Sequence, residues 1–164
     1  MKNKKGLTLL ELIVVVAIIG IMSSVIFISM SQSKSRTALE QASREVAAAI
    51  RETQNYALTG KVLASNPDDL PFRYIFMGNG STYRVRYMYN SGGIPGTRTY
   101  ATYELKNGVS MSNTTIYYAV PHATKEVGSS SVTLSKAGAS SYYVCICLSG
   151  KVVENGTTSC GAAC

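Results

Sequence analysis

The chain has 164 residues, 46% apolar and 15% charged, with a formal net charge of +7. That length suggests about one domain, and the composition excludes a chain disordered throughout. Lys2, Lys4 and Lys5 carry three of the charges, and the +4 left without them is too small to separate a nucleic-acid binder from an ordinary solvated surface.

The N-terminus reads Met-Lys-Asn-Lys-Lys-Gly and passes directly into an apolar run over residues 7–30, broken only by Glu11 among charged residues. Lysines immediately ahead of an apolar run hold a leader on the cytoplasmic side. As a helix the run spans about 36 Å, enough to cross a hydrocarbon core of about 30 Å. An ordinary secretory signal has a shorter apolar region with a small-x-small cleavage site beyond it, and residues 28–33 lack one. Glu11 is the anomaly, because a carboxylate at the centre of a membrane helix costs about 2.5–3.5 kcal/mol. A cut between Gly6 and Leu7 creates an α-amine four residues before Glu11, where it can neutralise that carboxylate within one chain or between neighbours. The dipole at the helix N-terminus acts in the same sense.

The segment Lys-Lys-Gly-Leu-Thr-Leu-Leu-Glu-Leu resembles the processing motif of type IV pilins and pseudopilins. The resemblance implies that a prepilin peptidase cuts after Gly6, that Leu7 becomes the N-methylated residue in place of the usual phenylalanine, and that Thr8 and Glu11 serve assembly and register. It further implies a homo-oligomeric helical filament, built by inner-membrane assembly machinery from a subunit held in the cytoplasmic membrane, with the finished pilus outside the cell. Where many members of the family carry a proline, this chain has Ile28, so any unwinding would start at Gly20 and Ser23–Ser24; Gly20 equally suits close helix packing.

From residue 31 the pattern becomes amphipathic. Leu39, Ala42, Val46, Ala49, Ile50, Thr53 and Ala57 recur at three- and four-residue spacing, with Lys34, Arg36, Glu40, Arg44, Glu45, Arg51 and Glu52 on the other faces. Gly60 is the expected stop. Four segments follow: a leader over 1–6, a membrane and assembly helix over 7–30, an amphipathic helix over 31–60 that packs on the head, and an extracytoplasmic head over 61–164.

Beyond Gly60 the period shortens, predicting strands at residues 72–77, 82–90, 99–105, 114–120, 131–135 and 141–148 separated by turn residues. Alternation puts Tyr83, Val85, Tyr87 and Tyr89 on one face and Arg84, Arg86 and Met88 on the other. The fold class is therefore α+β: a long helix against an antiparallel sheet, with a disulfide-bounded C-terminal region. Cys145, Cys147, Cys160 and Cys164 favour disulfides in an exported chain, since Cys145 and Cys147 have one residue between them where zinc pairs have two to four. No metal is expected. Those two share a strand face, so Cys160 and Cys164 are their partners; if residues 148–151 turn the chain back, the nested pairing of Cys147 with Cys160 and Cys145 with Cys164 is slightly favoured.

The lone histidine, His122, follows Pro121 without a second ligand or nucleophile spaced to work with it, and no phosphate-binding glycine loop is present. Neither catalytic chemistry nor a cofactor is expected. Asn79, Asn113 and Asn155 each begin an Asn-x-Ser/Thr sequon. The leading functional reading is a structural pilus subunit for adhesion, motility or contact. The alternatives are a minor pilin or secretion pseudopilin, or a DNA-uptake subunit in which Arg73, Arg84, Arg86, Arg98 and Lys106 form a basic face beside tyrosines.

Overall fold

The computed structural model describes residues 8–62, 70–147 and 149–162, the side chains of residues 25–29, 31, 127 and 162 excepted. It divides into two compact units, Met1–Lys34 and Ser35–Cys164. One α-helix, α1 (Leu9–Thr59), supplies residues to both. Gly60 adopts φ +58°, the left-handed conformation that ends a helix without steric penalty, as the position of that glycine predicts.

In the first unit the apolar side chains of α1 are exposed all round: Leu10 to 74%, Ile13 to 59% and Ile21 to 69%. Among the described residues no helix is long and apolar enough to cross a membrane. The apolar sequence run continues through residues 25–29, whose side chains lie outside the described set.

In the second unit, α1 covers one face of an eight-stranded antiparallel sheet, which establishes the α+β class. The strands are β1 (Leu70–Gly80), β2 (Thr82–Ser91), β3 (Ile94–Glu104), β4 (Ser110–Ala119), β5 (Lys125–Gly128), β6 (Ser131–Ser135), β7 (Tyr142–Ile146) and β8 (Val152–Glu154). Their spatial order is β3-β2-β1-β4-β6-β7-β8. Two strands share one edge of β4: β6 pairs at Ser110 and Met111, and β5 pairs near Ile116 and Tyr118.

The predicted helix stripe is buried throughout, from Leu39, Val46, Ile50, Thr53 and Ala57, all fully covered, to Ala42 and Ala49. The charged positions opposite are exposed. Thr53 enters the core at no hydrogen-bond cost because its hydroxyl donates to the Ala49 carbonyl at 2.7 Å. Against this stripe the sheet presents Tyr74 and Phe76 from β1, Tyr83, Val85 and Tyr87 from β2, Ile116 and Tyr118 from β4, and Val132, Leu134, Val144 and Ile146 beyond. Each fully buried Leu, Ile or Val side chain contributes about 1.5–3 kcal/mol relative to exposure.

Two strands were not anticipated. β5 and β8 have four and three residues, too short to show an alternation, and both form by pairing with a neighbour already in place. β3 also starts earlier than expected, at Ile94, because Pro95 and Gly96 sit on an edge strand where a missing N–H breaks no ladder.

Candidate functional site

The N-terminal segment is built around Thr8. Its side-chain oxygen accepts a hydrogen bond from the Glu11 backbone N–H at 3.3 Å, and its carbonyl accepts from the Leu12 N–H at 3.2 Å. Thr8 is thus the N-cap of α1, and Thr8-x-x-Glu11 has the capping-box spacing. That signal is written in the sequence, and a reading focused on the carboxylate passes over it. Among the described residues the Glu11 carboxylate has no ion-pair or hydrogen-bond partner, and it stands in the first helical turn, where the dipole favours negative charge. Lys2, Lys4, Lys5, Gly6 and Leu7 lie outside the described residues.

Around Gly20 the helix is regular. The Ser23 hydroxyl donates to the Ile19 carbonyl and the Ser24 hydroxyl to the Ile21 carbonyl, both at 2.7 Å. Nothing lies within 4 Å of where a Gly20 Cβ would stand. The serines therefore satisfy their own polar groups inside an apolar segment by bonding back to the helix.

The cysteine staple differs from the nested expectation. Cys145 bonds Cys160, with their Cα atoms 5.5 Å apart. The reason is the direction in which the chain returns. After β8, the Gly156 carbonyl still accepts from the Tyr143 N–H, so the segment has run past Cys145 towards the start of β7. The Asn155 side-chain amide then donates to the Thr158 and Ser159 carbonyls and reverses the chain, which brings Cys160 back along β7 to Cys145. Cys147 is disulfide-bonded as well, and no described cysteine is free; Cys164 lies outside the described residues. The Cys145–Cys160 bond closes a loop worth about 3 kcal/mol in chain entropy.

The same region is tied to the helix. Arg51 donates to the Val152 carbonyl at 3.1 Å and meets the Glu154 carboxylate at 3.4 Å. Gly150, at φ +83°, lies so close to Gln54 that a Cβ there would come within 2.6 Å of its side-chain nitrogen. The positive φ is the conformation that favours glycine there, since the Gln54 side-chain end could swing aside.

The five basic residues do not form one face. Register pairs Arg73 with Met88, Ile75 with Arg86, and Met77 with Arg84, which places Arg73, Arg84 and Arg86 together on the face away from the helix. Arg98 pairs with Tyr87, on the helix-covered face, and stacks over the Tyr89 ring at 5.1 Å. Lys106 follows β3 in a turn. Arg73 is neutralised: its guanidinium meets the Glu126 carboxylate at 2.6 Å and lies over the Tyr117 ring at 5.7 Å.

Tyrosines line the core. Burial pushes the Tyr74 and Tyr118 phenols up to about 12. Burial and then the hydrogen bond to Glu45 raise Tyr83, while the hydrogen bond to Glu52 is the main cause of the rise at Tyr56. The Tyr74 hydroxyl donates to the Lys61 carbonyl, whereas the Tyr118 hydroxyl is buried with no hydrogen-bond partner among the described residues. His122 is exposed, and no group of three or more His, Cys, Asp or Glu among the described residues is placed to hold a metal ion.

No curated protein and no solved structure matches the chain. A family model does match at the N-terminus. Residues 1–27 carry the prokaryotic N-terminal methylation motif, the signal of type IV pilins and pseudopilins.

Proposed function

We propose that the chain is a structural subunit of a type IV pilus. Prepilin peptidase removes residues 1–6 by cutting between Gly6 and Leu7, and Leu7 is then N-methylated. Before assembly the apolar run over residues 7–30 holds the subunit in the cytoplasmic membrane, with the head outside. On extraction the same run passes from lipid into a bundle of neighbouring subunits, a heterologous contact that propagates as a helical filament.

The observation that carries this reading is the pairing of the methylation motif with a helix whose apolar side chains from Leu9 to Met22 are exposed on every side. Such a surface needs lipid or protein around it. The capped first turn supports a specific role for Glu11: Thr8 occupies its backbone N–H and leaves the carboxylate for the Leu7 amine, of its own chain or a neighbour's.

The test is Glu11→Gln. Membrane insertion should persist, because apolarity increases, while sheared surface fibres should fall at least tenfold, the effect of losing an interaction worth about 1.4 kcal/mol at each subunit joint. Fibres at normal yield from that variant would remove the register role. Absence of the wild-type chain from sheared fibres would replace the structural pilin with a minor pilin or pseudopilin.

A further inference from the structure

The face of the sheet away from the helix carries three arginines in unlike circumstances. Arg73 has a carboxylate and an aromatic ring. Arg84 and Arg86, two residues apart on the same face of β2, are in no ion pair among the described residues. Arg86 is partly buried; its Nη1 donates to the Met77 sulfur at 3.5 Å, and its Nε, like that of Arg73, is buried with no hydrogen-bond partner among the described residues. Thioether sulfur is a weak acceptor, and a buried guanidinium N–H without a partner costs more than a solvated one.

These arginines line a cleft of about 240 Å³ together with Met77, Asn79, Thr82 and Asn113. Among the described residues no carboxylate lines it. Its polar inventory is therefore two guanidinium forks, two carboxamides and a hydroxyl, over a thioether floor. Guanidinium forks match the two oxygens of a carboxylate or phosphate, and carboxamides beside them suit neighbouring hydroxyls. The cleft is smaller than sites for drug-sized ligands, which fits one small polar group.

We propose that this cleft binds an oxyanion carried on a small hydroxylated group, such as a sugar acid or sugar phosphate, with Arg86 and Arg84 as the anion receptor and Asn79, Asn113 and Thr82 reading the hydroxyls. The site stands on the head alone and does not depend on how the N-terminal helix assembles. It also narrows the basic character of the head from a strand-long surface to one receptor, because Arg98 lies on the other face and Arg73 is already paired.

The experiment uses the full chain in a neutral detergent, with 13C-methyl methionine as reporter. Glucuronate, inorganic phosphate and glucose are titrated separately. The expected result is a saturable shift of the Met77 methyl with glucuronate or phosphate, no shift with glucose, and none at Met111, which lies on the helix-covered side. Saturation by phosphate alone or by glucuronate alone supports the receptor and names which source of the oxyanion it takes. Arg86→Gln should weaken binding about ten- to a hundredfold, the loss of charge-assisted hydrogen bonds. Arg84→Gln, at an exposed position, should weaken it with the melting temperature unchanged, and Lys106→Gln should leave it intact. The proposal is overturned by no saturable Met77 shift with either anion, by glucose binding as well as glucuronate, or by an equal loss from Lys106→Gln.

Discussion

Residues 9–24 and 38–57 belong to one helix and are treated oppositely. In the first stretch Leu10, Ile13 and Ile21 are more than half exposed, while in the second Leu39, Val46 and Ile50 are fully buried. Composition separates them in part, since the first stretch holds one charged residue, Glu11, and the second holds five. The difference is angular: the second stretch confines its apolar groups to one stripe, which one sheet face can cover, and the first spreads them around the whole circumference, which no single sheet can. The head covers the second stretch, and the first is exposed all round within its own unit.

The sharpest way to break that comparison is a pair of truncations. Leu39→Ala or Ile50→Ala should destabilise the head by about 2–5 kcal/mol in denaturant unfolding followed by tyrosine near-ultraviolet circular dichroism. Ile13→Ala, equally apolar in sequence, should leave that transition where it was. A comparable loss at Ile13 would mean that the first stretch contributes to the head.

A smaller effect follows from titration. Tyr74 and Tyr118 are held up to about 12 by burial, against about 10 in an unfolded chain. The unfolded state therefore loses these protons first, so their contribution is intact below about pH 10 and is lost as the pH rises towards 12, by at most about 3 kcal/mol per group. Melting temperatures across that range should fall, and Tyr118→Phe should reduce the fall. At neutral pH the same variant should cost little, because the hydroxyl it removes has no hydrogen-bond partner among the described residues. The most N-terminal tyrosine is Tyr56, so helicity of the first stretch in detergent should survive the same pH rise.

The smallest expected effect is at the cap. Thr8→Ala removes the acceptor of the Glu11 N–H and should loosen the first turn by about 1 kcal/mol, seen as faster amide exchange over residues 9–12. Head melting should not move. Unchanged exchange would show that the turn is held by something other than its cap.

Features that depend on consecutive residues are legible in the sequence. The helix stripe, the stop at Gly60, and the alternation that buries Tyr83, Val85 and Tyr87 all follow from the periods of helix and strand. Features that depend on where a strand finds its neighbour are not. Nothing in Lys125–Gly128 or Val152–Glu154 marks a strand until β4 and β7 offer an unpaired edge. Arg98 looks equivalent to Arg84 and Arg86 in a list of charges, but the irregularity in register between Val85 and Arg86 helps set which face each takes, and that shift is a property of two strands together.

The sequence by itself determined where the long helix changes character and where it ends, because hydrophobic periodicity and a left-handed glycine act over one or two turns of chain. Only the tertiary structure decided which cysteine meets Cys145, the order of the strands, and which arginines share a cleft. Each of those rests on the direction in which a distant segment returns. In the C-terminal region, the Asn155 turn reverses the chain after β8, and that reversal set Cys160 against Cys145 instead of Cys147.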